Sequence, residues 1–195
     1  MMNTRLRLLL LAVVLGCTLP AFAADVAGVT LAETIQAGGG APLVLNGAGL
    51  RKRAFFQVYA MGLYLPAKKS SAAEVLALAG PKRVAIHMLR DVGADQFTEA
   101  LVEGIRQNHS EAEAKALEPR VKELAAIMGE MKEAKKGMAI ALDWLPQSGT
   151  QVLIEGKPAG KAIAGEDFYR GLLRVWLGEE PVQADLKRAL LGQPQ

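Results

Sequence analysis

The feature that most constrains the fold is a pair of apolar runs, at residues 43–45 and 55–65. A glycine-containing bend and the basic triplet Arg51-Lys52-Arg53 separate the two runs, which predicts a β-hairpin. Side chains alternate along a strand. One face of the second strand then carries Phe55, Gln57, Tyr59, Met61 and Leu63, and the other carries Phe56, Val58, Ala60, Gly62 and Tyr64. Both faces are mostly apolar, which is typical of a central strand covered on both sides.

The first 23 residues are predicted to form a cleavable export leader. Two arginines precede the apolar run 8–16, and residues 21–23 supply the small-x-small pattern that signal peptidase cuts. The apolar run is too short for a membrane anchor, which needs ~20 apolar residues. The mature chain is therefore expected to begin at Ala24 and to reside in the periplasm. Lipidation of Cys17 is a less favoured alternative, because the residues before it fit the lipoprotein box poorly.

Composition narrows the classes of partner. The leader holds the only cysteine and two of the 23 basic residues, which leaves 21 basic residues against 20 acidic ones. These charges interleave along helical segments instead of forming a basic face, so no nucleic-acid binding is predicted. A mature chain without cysteine has no disulfides, thiol catalysis or cysteine metal site. About 170 residues suffice for one domain that buries roughly two-thirds of its unfolded surface.

The remaining elements alternate in blocks of strands and helices. The predicted segments are an edge strand within 26–35, a glycine turn at 38–40, a short helix at 72–78, a strand at 84–89, helices at 95–108 and 111–131, a charged, solvated segment at 132–136, a strand meander at 138–145, 150–155 and 161–164, and helices around 168–177 and 182–191. Hairpins at both ends favour an antiparallel sheet over a doubly wound parallel one. The predicted class is α+β.

Several kinds of chemistry are absent from the pattern. His87 and His109 are isolated and have no further ligand at metal-binding spacing, so no metal site is predicted. Gly47-Ala48-Gly49 lacks the rest of a dinucleotide-binding loop, and no serine lies in a nucleophile elbow. We expect no cofactor and identify no confident catalytic residue.

Arg51 and Tyr59 are the unusual pair. An arginine beside glycines is ordinarily solvated, and a tyrosine within an apolar strand ordinarily packs in the core. If both side chains entered one apolar cavity, a guanidinium and a phenol would bind a carboxylate or enolate oxygen. A straight strand would separate the two residues by roughly 27 Å. Their convergence is therefore expected to require a bend at Lys52-Arg53.

At these residues the chain resembles the chalcone isomerase-like family. The resemblance rests on Asn46-Gly47-Ala48-Gly49-Leu50-Arg51, Phe56-Gln57-Val58-Tyr59-Ala60-Met61-Gly62-Leu63-Tyr64-Leu65, Gly80-Pro81-Lys82-Arg83, Asp95-Gln96-Phe97-Thr98-Glu99 and residues 163–178. It covers most of the mature chain. It implies an open-faced β-sandwich, in which a large antiparallel sheet has helices packed on one face and a cleft lies between the layers.

The resemblance also implies a site that has lost most enzyme positions. Arg51 matches the arginine that binds the substrate's enolate region in true chalcone isomerases. Tyr59 replaces a strand threonine, Phe97 a helix tyrosine, Gly104 a helix asparagine, and Val175 a serine or threonine. Because most of the enzyme's polar groups are replaced, cyclisation of a chalcone is not expected.

Three functions fit this resemblance. The first is non-catalytic binding of a fatty acid or another small apolar carboxylate, as some family members do, with Arg51 as its anchor and Tyr59, Phe97 and Val175 as further ligand-binding residues. The second is an isomerase or lyase for another metabolite, in which Arg51 stabilises an enolate and Tyr59 is the acid. The third is an interaction module of the cell envelope without a ligand. The sequence predicts no oligomeric state.

Overall fold

The computed structural model describes residues 23–193, so the predicted leader, with Cys17, lies outside the described residues except for Ala23. The strands are β1 (Ala24–Val26), β2 (Val29–Leu31), β3 (Thr34–Gln36), β4 (Pro42–Arg53), β5 (Phe56–Leu65), β6 (Lys82–Met88), β7 (Val92–Gly93), β8 (Glu133–Ala134), β9 (Ala139–Leu145), β10 (Gly149–Ile154) and β11 (Lys157–Ile163). The helices are α1 (Ala72–Ala77), α2 (Ala94–Gln107), α3 (Glu111–Gly129), α4 (Glu166–Leu177) and α5 (Ala184–Leu190).

A seven-stranded antiparallel sheet organises the domain, in the order β11-β10-β9-β6-β5-β4-β3. The β4–β5 hairpin and the β9–β10–β11 meander are both present, as the sequence predicted. The two halves join in the middle, where β6 pairs with β5 on one side and with β9 on the other. The α+β class with a large antiparallel sheet is therefore confirmed.

The two faces of the sheet are covered differently. The main core lies between the sheet and the helices and includes Tyr59, Met61 and Leu63 of β5. A smaller core on the opposite face joins Tyr64 and Leu45 to the β1–β2 hairpin. The alternation predicted for the second half of β5 is confirmed, and this half is covered on both sides. Among residues 23–193, no helix covers the rest of the second face, as expected for an open-faced sandwich.

The long helices bury the stripes that their sequences predict. On α2 these residues are Phe97, Leu101 and Ile105, and on α3 they are Leu117, Val121, Leu124 and Met128. Ser110 caps α3 in a capping box with Glu113, which satisfies two main-chain N–H groups at that end. Within residues 23–193, no helix has the length and apolarity needed to cross a bilayer.

The glycine bend expected in the hairpin is wrong, because β4 runs unbroken from Pro42 to Arg53. Its glycines serve another purpose. A Cβ at Gly47 would collide with the main chain of Ala189, and a Cβ at Gly49 would lie 2.7 Å from the Ala189 Cβ. The glycines therefore let α5 pack directly on β4, and the chain reverses later, at Ala54 and Phe55.

Two further local predictions need correction. The expected alternation fails at the start of β5, because Arg51 pairs with Tyr59 but Lys52 pairs with Gln57, which leaves Val58 as the extra residue of a bulge. Val58 therefore packs against the main core on the helix side. The segment 132–136 is not wholly solvated, since β8 pairs with β7 and its Ala134 is fully buried.

Candidate functional site

A cavity of about 620 Å³ lies where the β4–β5 hairpin meets α2 and α4. Its lining is Arg51, Arg53, Phe56, Val58, Tyr59, Arg90, Val92, Gln96, Phe97, Glu99, Ala100, Leu101, Glu103, Gly104, Gln107, Val175, Pro181 and Val182. The four residues singled out from the sequence, Arg51, Tyr59, Phe97 and Val175, are thus brought together at one cavity.

Arg51 and Tyr59 meet through strand pairing. They are direct partners in the β4–β5 register, so their side chains lie side by side on the helix face. The bend expected at Lys52-Arg53 is not what joins them. The hairpin folds the chain back on itself, and eight positions in sequence become one step across the sheet.

Tyr59 is held at the back of the cavity. Its hydroxyl accepts a hydrogen bond of 2.9 Å from the Trp176 indole Nε1, and the Phe97 ring stands edge-on to its own ring at 6.3 Å. Burial raises the pKa of the Tyr59 phenol above its ordinary value of 10.0, while the Trp176 hydrogen bond and the charge of Arg51 act in the opposite direction. Tyr59 is therefore a neutral phenol at physiological pH, with its proton available for donation.

Arg51 is half-buried and has no carboxylate partner. Nη1 donates to the Lys52 carbonyl oxygen and, over 3.4 Å, to Gln183 Oε1, and the guanidinium also acts on the neighbouring Tyr59 hydroxyl. No carboxylate of residues 23–193 lies within 4.0 Å of Arg51. A guanidinium presents five donors suited to a carboxylate or phosphate. The Arg51 guanidinium can therefore bind an anionic group of a ligand in this cavity.

Gln183 fixes the strand that carries Arg51. Its Oε1 accepts from the Lys52 main-chain N–H over 2.7 Å, and its Nε2 donates to the Leu50 carbonyl oxygen over 3.1 Å. The residue stands at the N-cap of α5 but makes no capping bond with its side chain. It instead occupies the free edge of β4, as a neighbouring strand would. One hint of this role is visible in the sequence, where a long amide stands at a position that usually holds a short cap.

Gly104 and Val175 form an apolar contact between α2 and α4. A Cβ at Gly104 would lie 2.7 Å from Val175 Cγ1, so the valine fills the space that a side chain at 104 would take. The side chains at these two positions are therefore complementary. This part of the wall can pack an alkyl chain and offers it no hydrogen bond.

The mouth of the cavity carries charges that the sequence did not single out. Arg53 and Arg90 line it together with Glu99. The Arg90 guanidinium carbon lies 4.5 Å from the centre of the Phe56 ring, a cation–π contact. Both arginines come from segments next to loops, where spacing alone gives no sign of convergence.

A larger groove of about 740 Å³ between α2 and α3 is a poorer candidate. Two of its three basic side chains are already engaged, since Lys122 pairs with Glu118 at 2.7 Å and Arg106 pairs with Glu103 at 3.2 Å. None of the four predicted site residues lines it. Within residues 23–193, no cluster of three histidine, cysteine, aspartate or glutamate side chains is placed to ligate a metal.

Comparison with known proteins agrees with this architecture. A family model described as chalcone isomerase-like matches residues 23–192. Among solved structures, the fatty-acid binding protein of Arabidopsis thaliana superposes with a TM-score of 0.62 at 17% identity, and the alignment covers 84% of this chain and 92% of that one. At this identity the likeness concerns the fold. A search of curated proteins found no match.

Proposed function

The chain belongs to the chalcone isomerase-like family, and we propose that it binds a fatty acid or another small apolar carboxylate without converting it. The carboxylate is held by Arg51 and Tyr59, and the alkyl chain lies against the apolar wall that includes Phe97 and Val175. The observation that carries this proposal is the half-buried Arg51, which has no carboxylate partner within residues 23–193 and lines a cavity whose inner wall includes the apolar Phe97 and Val175.

The energetics favour an anionic ligand with an apolar tail. A buried carboxylate must regain in hydrogen bonds what it loses in hydration, and charge-assisted bonds are the strong ones. Arg51 supplies the charge, and the neutral Tyr59 hydroxyl supplies a second donor 2.9 Å from the indole that orients it. A cavity of about 620 Å³ falls within the ordinary range for small-molecule sites.

The proposal includes the cell compartment. The leader-like residues 1–23, with their basic start, apolar run and small-x-small pattern, support export to the periplasm. A neighbour of the same fold that is a fatty-acid binding protein supports the ligand class.

The test is native mass spectrometry with lipid extraction on the purified protein and on Arg51→Met. The methionine keeps an apolar stem but removes the donors. We expect fatty acid to copurify with the wild type and to be lost from a folded Arg51→Met, whose affinity falls by about 2 kcal/mol, or roughly thirtyfold. Arg188→Met is the matched control, because neither Arg188 nor its partner Asp185 lines the cavity. Equal binding by all three proteins, or none by the wild type, would refute the carboxylate anchor.

The same pair of residues allows the isomerase alternative. Arg51 would stabilise an enolate and Tyr59 would be the acid, so turnover of a candidate metabolite should vanish in Tyr59→Phe. Binding of a carboxylate should weaken only about tenfold in that variant, the cost of one charge-assisted hydrogen bond, because Arg51 remains. An envelope interaction module without a ligand predicts neither effect.

A further inference from the structure

The tip of the β4–β5 hairpin, residues 52–57, projects into solvent as a continuous exposed segment. Phe55 is 86% exposed and Phe56 is 49% exposed, and they are the exposed large hydrophobic side chains of residues 23–193. Their rings pack on each other at 4.6 Å. Exposure of two adjacent aromatic rings to water is unfavourable. Phe55 belongs neither to the core nor to the proposed site, so neither accounts for an aromatic residue at this position.

The charges around these rings are mostly basic, although Glu99 lines the adjoining cavity. Lys52 and Arg53 precede the turn, and Arg90 stands over Phe56. No acidic residue occurs in the sequence between Glu33 and Glu74, so neither strand of the hairpin carries one. The neighbouring Asp91 is engaged, because its Oδ1 accepts a hydrogen bond from the Lys136 main chain.

We infer that this hairpin tip docks on an anionic membrane surface. Aromatic rings enter the boundary between headgroups and acyl chains, and flanking basic side chains bind the anionic headgroups. The six exposed residues form a narrow projection, whose two adjacent rings can both enter a bilayer. A protein partner would instead have to supply a matching pocket for them.

The tip also borders the cavity. Phe56, Arg53 and Arg90 belong to both, whereas Phe55 and Lys52 do not line the cavity. Docking would therefore turn the mouth of the cavity towards the lipid. That this lets a fatty acid pass between bilayer and cavity rests on the proposed function, but the docking itself does not.

The test is vesicle flotation of the chain as purified, with its N terminus read by mass spectrometry. Vesicles contain phosphatidylcholine alone or an equal mixture with phosphatidylglycerol. We compare wild type with Phe55→Ser and Lys52→Gln, because neither residue lines the cavity. Lys115→Gln is the matched control for charge, since Lys115 is exposed on α3. Binding of a soluble short-chain fatty acid without vesicles is measured on the same samples.

Wild type should float with the anionic vesicles and much less with the neutral ones. Phe55→Ser should weaken this binding about tenfold and Lys52→Gln about fivefold, while Lys115→Gln and fatty-acid binding in solution stay unchanged. Absence of flotation, or equal flotation by all variants, overturns the inference and leaves the tip as a candidate protein-binding surface. A wild type that floats in this pattern yet binds no fatty acid supports docking and refutes the proposed function.

Discussion

Two arginines of the same sheet, Arg83 and Arg51, have opposite surroundings. Arg83 on β6 faces Asp143 on β9 directly across the strands, on the face away from the helices, and its Nε and Nη2 donate to the two carboxylate oxygens over 2.5 Å each. Arg51, on the helix face, has no carboxylate within 4.0 Å among residues 23–193. Both arginine side chains are half-buried, so they differ in whether a carboxylate pairs with them and not in how deeply they are buried.

This difference suggests that Arg83 has a structural role, whereas Arg51 is free to bind a ligand. A charge that loses water must be compensated by a partner. Asp143 compensates Arg83 permanently, and the pair ties the two halves of the sheet together at the β6–β9 junction. The compensation for Arg51 must come from water or from a bound anion. Removing the partner of Arg83 should therefore affect stability, and giving a partner to Arg51 should affect binding.

The largest effect is expected for Asp143→Asn. Asp143 is 2% exposed, and breaking a buried pair by removing one charge costs 3–5 kcal/mol in general. Because the Arg83 side chain is 19% exposed and can regain some water, we expect a loss of about 3 kcal/mol in the free energy of unfolding. Urea denaturation measures it.

The control removes both charges. Arg83→Met with Asp143→Leu replaces the pair by apolar side chains, which is often neutral for stability. This double variant should therefore be more stable than Asp143→Asn. If Asp143→Asn loses less than about 1 kcal/mol, the pair is a surface-like one and the contrast with Arg51 disappears.

Much of the fold could be predicted because it depends on local pattern. The apolar alternation of β5, the stripe Phe97-Leu101-Ile105 and the cap at Ser110 are each contained within a few residues. The family resemblance singled out Arg51, Tyr59, Phe97 and Val175 by sequence position, and the structure brings these four residues to one cavity. Their role in binding stays a prediction.

The rest depended on contacts between distant segments. Gly47 and Gly49 look like a turn because glycine favours turns, but their reason is α5, some 140 residues later in the chain. The bulge at Val58 shifts alternation by one residue, which no apolar pattern records. The lack of a carboxylate beside Arg51 is likewise a property of the folded chain.

The next largest effect is expected when Arg51 is given a carboxylate partner. Gln183→Glu places a carboxylate where Gln183 Oε1 lies, 3.4 Å from Arg51 Nη1, and keeps the acceptor for the Lys52 N–H. It also removes the Nε2 donor to the Leu50 carbonyl oxygen, so Gln183→Met, which lacks that donor but adds no charge, is measured beside it. Arg51 would then resemble Arg83. We expect fatty-acid affinity to fall about tenfold, or ~1.4 kcal/mol, as measured by isothermal titration calorimetry.

Gln96→Glu is the matched charge control, because Gln96 lines the same cavity from α2 and has no hydrogen bond to Arg51 among residues 23–193. It should weaken binding much less than Gln183→Glu does. Similar losses in the two variants would mean that general charge repulsion, and not occupation of Arg51, governs affinity.

A smaller effect concerns the turn that brings Arg51 opposite Tyr59. Ala54 has a φ of 52°, in the left-handed region that glycine adopts at little cost. Ala54→Gly should therefore raise the free energy of unfolding by about 0.5–1 kcal/mol without changing ligand affinity. Thermal denaturation with and without fatty acid measures both quantities, and a destabilised variant would show that this turn is not strained.

The smallest effect concerns the pH dependence of stability. His87 lies on β6 four residues after Arg83, so both side chains are on the same face of the sheet. Burial lowers the pKa of His87 below its ordinary value of 6.5, and the charge of Glu155 acts in the opposite direction. As the pH falls, His87 is therefore protonated in the unfolded chain before it is protonated in the folded one. The contribution of His87 to the free energy of unfolding is complete above pH 6.5 and is lost as the pH falls from there towards the pKa of the folded state. His87→Gln should flatten this part of the urea-midpoint profile, whereas Glu155→Gln should steepen it because it removes the opposing charge. If the urea midpoint of His87→Gln depends on pH as steeply as that of the wild type, other groups cause the loss of stability in acid, and burial of the His87 imidazole does not.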